Sequence, residues 1–230
     1  MLIKEIIAKI EEAPLTEALS LASGHFPGQA VFSTSLGQED QVLADAIFRN
    51  DIPVKVFTID TGRLFNETYE LLERTVARYK NPVQVYFPEA ADVEDFVSQK
   101  GINSFYESPE NRKQCCHIRK VKPLNRALQG ARLWITGLRA EQSANRHDMP
   151  MIEWDETRQL YKFNPLINWS FEDVINYLQE NNVPYSPLHD KGFISIGCAP
   201  CTRAIEPGED PRAGRWWWET SKKECGLHVK

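Results

Sequence analysis

Four short apolar runs, at residues 30–32, 54–59, 83–87 and 132–136, read as strands, and helix-period stretches separate them. Strands that alternate with helices must be joined by crossovers, and crossovers leave neighbouring strands parallel. The pattern predicts an α/β fold with a doubly wound, mostly parallel sheet. Two short helices are expected ahead of it. Ile3, Ile6, Ile7 and Ile10 share one face of the first, and the second spans about residues 14–22. From Tyr161 the alternation stops. Ser170-Phe171-Glu172-Asp173 fits a capping box and starts a helix to about Glu180, and a proline-rich stretch follows. The chain reads as one domain over residues 1–230. Residues 1–24 form an N-terminal helical segment, and residues 215–230 a C-terminal tail expected to be able to move.

In an open α/β sheet, ligands bind beyond the carboxyl ends of the strands. The first strand runs into Ser33-Thr34-Ser35-Leu36-Gly37-Gln38-Glu39-Asp40 and then a helix. A strand, a small hydroxyl-rich turn and a helix start together make an anion cradle. The second strand ends in Asp60-Thr61-Gly62-Arg63, expected at the same crevice. The fourth ends in the polar loop 137–147, which carries Arg139 and Arg146. Each feature taken singly is accounted for by a helix cap or a solvated loop. Their recurrence at strand ends points to an anionic ligand, with Arg139, Arg146, Arg212, Arg215 and Lys120 as candidates to hold it.

Five cysteines carry the second signal. Cys115 and Cys116 are adjacent, Cys198 and Cys201 form a Cys-x-x-Cys turn, and Cys225 stands alone. Four thiols in two tight pairs indicate a four-sulfur metal site, which soft thiolates offer to zinc or an iron–sulfur cluster. Adjacent cysteines are awkward ligands for one ion, whereas a four-iron cubane spreads its ligand positions. Lys120 lies one turn from Cys116 on a helix expected to open at Cys115 and run to Leu128. Around Cys225, Lys222, Lys223 and His228 would favour a nucleophilic thiolate. With four cysteines on a metal, no resolving cysteine remains, and an outside thiol must release anything bound to Cys225. Trp216, Trp217 and Trp218 are expected to pack the C-terminal segment.

At 230 residues the chain buries enough surface to need no cross-links, and five cysteines are too few for a disulfide scaffold. Neither a signal peptide nor a membrane-length apolar run is seen, so a cytoplasmic protein without membrane contact is expected. A net charge of −5 argues against a nucleic-acid partner.

The segments 113–120, 197–203, 214–218 and 224–228 resemble those of assimilatory adenylyl-sulfate (APS) reductases, the cluster-containing branch of the phosphoadenylyl-sulfate (PAPS) reductase family. The resemblance covers residues 30–228. It implies an adenine-nucleotide α-hydrolase-like fold of the PP-loop type. It also implies a [4Fe-4S] cluster on Cys115, Cys116, Cys198 and Cys201. Catalysis would rest on Cys225, Lys120 and His228, with Cys225 as nucleophile and thioredoxin or glutaredoxin as reductant. A phosphate loop falls on Ser33, Thr34, Ser35 and Gly37, and nucleotide contacts fall on Asp60, Thr61, Gly62 and Arg63. Lys120, Arg146, Arg212, Arg215 and His228 match positions around the phosphosulfate. The implied activity is thioredoxin-dependent reduction of APS to sulfite and AMP in sulfate assimilation, through an S-sulfocysteine on Cys225. A homo-oligomer is expected. The loop 33–37 reads closer to that of the cluster-free branch than to Ser-Phe-Ser-Gly, so PAPS or dual specificity is the alternative. A cluster-based redox sensor is the non-enzymatic one.

Overall fold

Six strands form one sheet in a computed structural model that describes residues 4–142, 146 and 148–219. They are β1 (Ala30–Thr34), β2 (Lys55–Ile59), β3 (Gln84–Tyr86), β4 (Leu133–Ile135), β5 (Ile152–Asp155) and β6 (Leu160–Phe163), in the order β3-β2-β1-β4-β6-β5. β1 pairs in parallel with β2 and β4, and β4 with β6; β5 runs antiparallel against β6. The four strands expected from the sequence are present. β5 and β6 were not expected, because their alternation is disguised. β6 is buried along its whole length yet carries Lys162. That lysine is held 3.6 Å from Glu153 across the hairpin, with its ammonium over the Trp134 ring. A buried, paired lysine reads in sequence as a solvent-facing break.

Eight α-helices are described: α1 (Lys4–Glu12), α2 (Leu15–Gly24), α3 (Gln38–Arg49), α4 (Asn66–Tyr79), α5 (Ala90–Lys100), α6 (Pro109–Cys116), α7 (Lys122–Ala127) and α8 (Phe171–Glu180). Ser170 caps α8 with both arms of the capping box in place. The cysteine helix differs from expectation. Cys115 and Cys116 end α6 rather than open a helix. Its start is set by Ser108, whose hydroxyl accepts the Asn111 N–H, and by Pro109 at the first helical position. A π-helical stretch, His117–Val121, joins α6 to α7. No helix among the described residues is long and apolar enough to cross a membrane.

The chain divides into two compact units that interleave in sequence. The first takes the chain through Thr58, then Thr68–Gln84 and Gly130–Ser186. The second takes Ile59–Glu67, Val85–Gln129 and the chain from Pro187 onward. The main core lies in the first unit, where Phe32, Leu43, Ile47, Leu133, Ile135 and Phe163 are fully buried. α3 is buried almost all round and takes a carboxylate with it. Asp45 accepts hydrogen bonds from Arg49 (2.8 Å), the Tyr79 hydroxyl (2.6 Å) and the Tyr177 hydroxyl (2.9 Å), so its charge is met inside the fold. Burial, and then Asp45 itself, push both phenols above the ordinary tyrosine range. The second unit has a smaller core of Phe105, Cys116, Cys198, Cys201 and Trp216.

Candidate anion loop and cysteine pocket

In the first unit, β1 delivers the chain into the turn before α3, and the hydroxyls of that turn are tied down by the protein's own groups. Ser33 accepts the Trp134 indole N–H at 2.8 Å, and Thr34 accepts the Leu36 amide at 3.0 Å. Both hydroxyls act as acceptors there, so each keeps its own proton to donate. Ser35 is different. Its amide (2.5 Å) and its hydroxyl (2.7 Å) both donate to Asp40 Oδ2 at the third position of α3. Leu36 sits in the left-handed region at φ +63, and Gly37 is the extended N-cap residue. Burial pushes the Asp40 carboxyl up to about 6 against the Ser35 hydrogen bonds, and the neighbouring Glu39 adds to the rise.

The loop arginines of this unit are engaged. Arg139 donates to Glu39 at 2.9 Å and to Glu141 at 3.0 Å, and its side chain is almost wholly buried. Arg146 is buried and donates to the side chain of Gln142.

In the second unit, Cys115, Cys116, Cys198 and Cys201 line one pocket together with Arg63, Arg112, Arg119, Lys120, Phe105 and Trp216. None of the four is joined in a disulfide among the described residues. Thr61 links the end of β2 to the Cys-x-x-Cys turn, with its hydroxyl 3.2 Å from the Cys198 sulfur. The Ala199 amide donates to the Arg63 carbonyl at 2.8 Å, which seats the turn. Gly62 adopts φ +72, and a Cβ there would crowd Arg119, which donates to the Thr61 carbonyl at 2.7 Å. Arg63 stacks over Phe105 at 4.9 Å, and Asp60 accepts the Gly62 amide. Trp216 lies between the guanidinium groups of Arg112 (4.5 Å) and Arg215 (4.7 Å). Gly197 has no Cβ to obstruct Arg215. Arg212 is half-buried, and its amide donates to Asp210.

The thiols are not electrostatically alike. Burial raises Cys115, and it pushes Cys201 up to about 12 with help from Cys198. Burial opposes ionisation of Cys198 as well, but Lys120, the Thr61 hydroxyl, Arg215 and Arg119 outweigh it and lower that thiol. The indole N–H groups of Trp216 and Trp218 and the Nε of Arg215 are buried with no acceptor among the described residues. A pocket with four soft sulfurs, several cations and buried donors that lack acceptors suits an anionic, sulfur-rich guest. Among the described residues, no three Cys, His, Asp or Glu side chains are gathered at the spacing of a single bound metal ion. Cys225 and His228 lie outside the described residues.

Residues 29–204 match the model of the phosphoadenosine phosphosulfate reductase domain. The chain belongs to the phosphoadenosine phosphosulfate reductase family. It is 52% identical to the adenosine 5′-phosphosulfate reductase of Sinorhizobium fredii (strain USDA 257), across 98% of this chain and 90% of that protein. It is also 52% identical to the protein of that name from Allochromatium vinosum, across 86% of this chain and 78% of the relative. Among solved structures, the phosphoadenylyl-sulfate reductase of Candida auris, in a phosphate complex, superposes with a TM-score of 0.75. It is 31% identical and covers 89% of this chain and 98% of its own. The FMN adenylyltransferase of Candida glabrata shares the fold at 16% identity and a TM-score of 0.56, covering 99% of this chain and 77% of its own.

Two cations of the cysteine pocket, Arg119 and Arg112, are not among the site residues expected from sequence. Arg119 follows Cys115 by four residues, one helical turn, a spacing that could have flagged it as readily as Lys120. Arg112 carried no comparable signal, since only the tertiary fold brings Glu219 to it at 2.6 Å. The packing role expected of the tryptophans describes Trp216, which is fully buried, better than Trp217, which is 41% exposed. Thr61 and Arg63, read as nucleotide contacts, reach the cysteine pocket.

Proposed function

We propose that the protein reduces adenylyl sulfate to sulfite and AMP in sulfate assimilation, with thioredoxin as the electron donor. The observation that carries this reading is identity of about half the residues, over nearly the whole chain, to proteins named adenosine 5′-phosphosulfate reductase. The cysteine pocket supports it from the chemistry. In this reading Cys115, Cys116, Cys198 and Cys201 hold a [4Fe-4S] cluster, with Lys120, Arg119 and Thr61 beside the ligands. When bound, that cluster would supply a fixed field for an anionic reactant, since thiols provide both electrons. Cysteines 115 and 116 are adjacent, which favours a cubane over one zinc ion; a zinc site needs four sulfurs about 4 Å from one another.

Cys225 is the nucleophile. Its thiolate attacks the sulfur of adenylyl sulfate, the S–O bond to the phosphate breaks, and AMP leaves with the bonding pair. The α-phosphate of AMP is met by the Ser33 and Thr34 hydroxyls and the first-turn amides of α3. Lys120, Arg146, Arg212, Arg215 and His228 neutralise the sulfate. A thioredoxin thiolate then attacks the Cys225 sulfur and sulfite departs. Thioredoxin's second cysteine resolves the mixed disulfide and returns Cys225 as a thiolate.

The test is incubation of anaerobically purified protein with radiolabelled adenylyl sulfate and no reductant. Label should remain on the wild-type chain, be absent from Cys225→Ser, and leave as sulfite when thioredoxin is added. Absence of label with both adenylyl sulfate and its 3′-phosphorylated form, from protein carrying its full iron, would overturn the assignment.

A further inference from the structure

The anion loop has an internal support that no step of the reaction uses. Asp40 is buried, and no cation among the described residues pairs with its carboxylate. It spends one oxygen, Oδ2, on the loop: the Ser35 amide and hydroxyl donate to it at 2.5 and 2.7 Å. Position three of a helix often returns a carboxylate to the N-cap amide, but here the side chain reaches two residues further back. Room for it is made by Gly137, just beyond β4, where a Cβ would overlap Asp40 Oδ1 and approach the Asp40 amide to 3.3 Å.

We propose that Asp40 is a positioning residue for the phosphate of the nucleotide: by drawing the Ser35 amide and hydroxyl onto itself, it leaves Ser33 and Thr34 as the hydroxyls that donate to the anion. This rests on the reductase reading given above. It divides three similar residues into two donors and one anchor, a division that their sequence does not make. The carboxylate never meets the substrate. It acts by holding a turn that contains a left-handed Leu36 in one shape before the nucleotide arrives.

The experiment measures sulfite release from adenylyl sulfate by iron-replete wild type, Asp40→Asn, Ser35→Ala, Gly137→Ala and the Asp40→Asn/Ser35→Ala pair. An asparagine keeps the shape, but its neutral amide oxygen is a weaker acceptor than a carboxylate oxygen for the two Ser35 donors that share Oδ2. KM for adenylyl sulfate should rise about tenfold in Asp40→Asn, with kcat within about twofold of wild type. Gly137→Ala should show the same split. The double variant should be no worse than Asp40→Asn alone, since both changes remove one interaction. An unchanged KM in folded Asp40→Asn, or effects that multiply in the double variant, would overturn the proposal. Should Asp40→Asn not fold, an unchanged KM in Ser35→Ala would do so instead. Failure of the reductase reading looks different, because wild type would then release no sulfite at all.

Discussion

The loop before α3 and the pocket around the cysteines show opposite ways of preparing for a ligand. The loop is complete without one: each of its three hydroxyls already has a protein partner within hydrogen-bond distance. The pocket is not complete, since Trp216, which lines it, buries an indole N–H with no acceptor among the described residues. On the proposed reading, a loop that binds and releases a nucleotide on every turnover gains from being stable when empty. A pocket for a resident cofactor can leave groups unsatisfied, because the guest is a permanent part of the fold.

The largest expected effect tests the pocket's dependence on its guest. Cys198→Ser, or iron removal by a chelator, should abolish sulfite release and leave less than about a tenth of the iron. Hydrogen exchange should then quicken across residues 112–119 and 197–203 and remain unchanged across residues 33–40. Equal quickening in the loop would break the comparison.

Next comes Arg112→Met, which leaves Glu219 buried opposite an apolar side chain. The pair is 2.6 Å apart and both partners are almost wholly buried. A loss of about 3–5 kcal/mol in urea unfolding is expected, as for other broken buried pairs.

The loop makes its own prediction through pH. Asp40 rises from 3.8 to about 6 on folding, so the folded state holds its proton more tightly than the unfolded chain does. That advantage is fully present below about pH 4 and is lost as pH rises through 6. Stability of Asp40→Asn relative to wild type should therefore climb by up to about 3 kcal/mol between pH 4 and pH 8. A flat difference would show that the carboxylate is not buried as described.

The smallest effect belongs to Ser33→Ala, which removes only the hydroxyl that accepts the Trp134 N–H. It should cost about 1 kcal/mol of stability and leave iron content untouched.

Much of this was legible in sequence for a definite reason. Strand ends in a parallel sheet all face one edge, so small polar turns and arginines could be placed from periodicity alone. Cys115, Cys116, Cys198 and Cys201 were legible because tight pairs of thiols are rarely accidental. The β5–β6 hairpin escaped because Lys162 is buried, and the helix start at Ser108 escaped because a Ser-Pro pair marks a turn as readily as a helix cap.

The sequence by itself determined the alternation that builds the sheet, the family motifs and the identity of the metal-binding thiol candidates, since all of these rest on local spacing. Only the tertiary structure decided which charges are already taken. Arg139 belongs to Glu39 and Glu141, Arg112 to Glu219, and Ser35 to Asp40. Such pairings depend on partners distant in the chain or on the exact turn of a short loop, and burial makes each of them binding: a desolvated charge or donor must find its partner inside the fold.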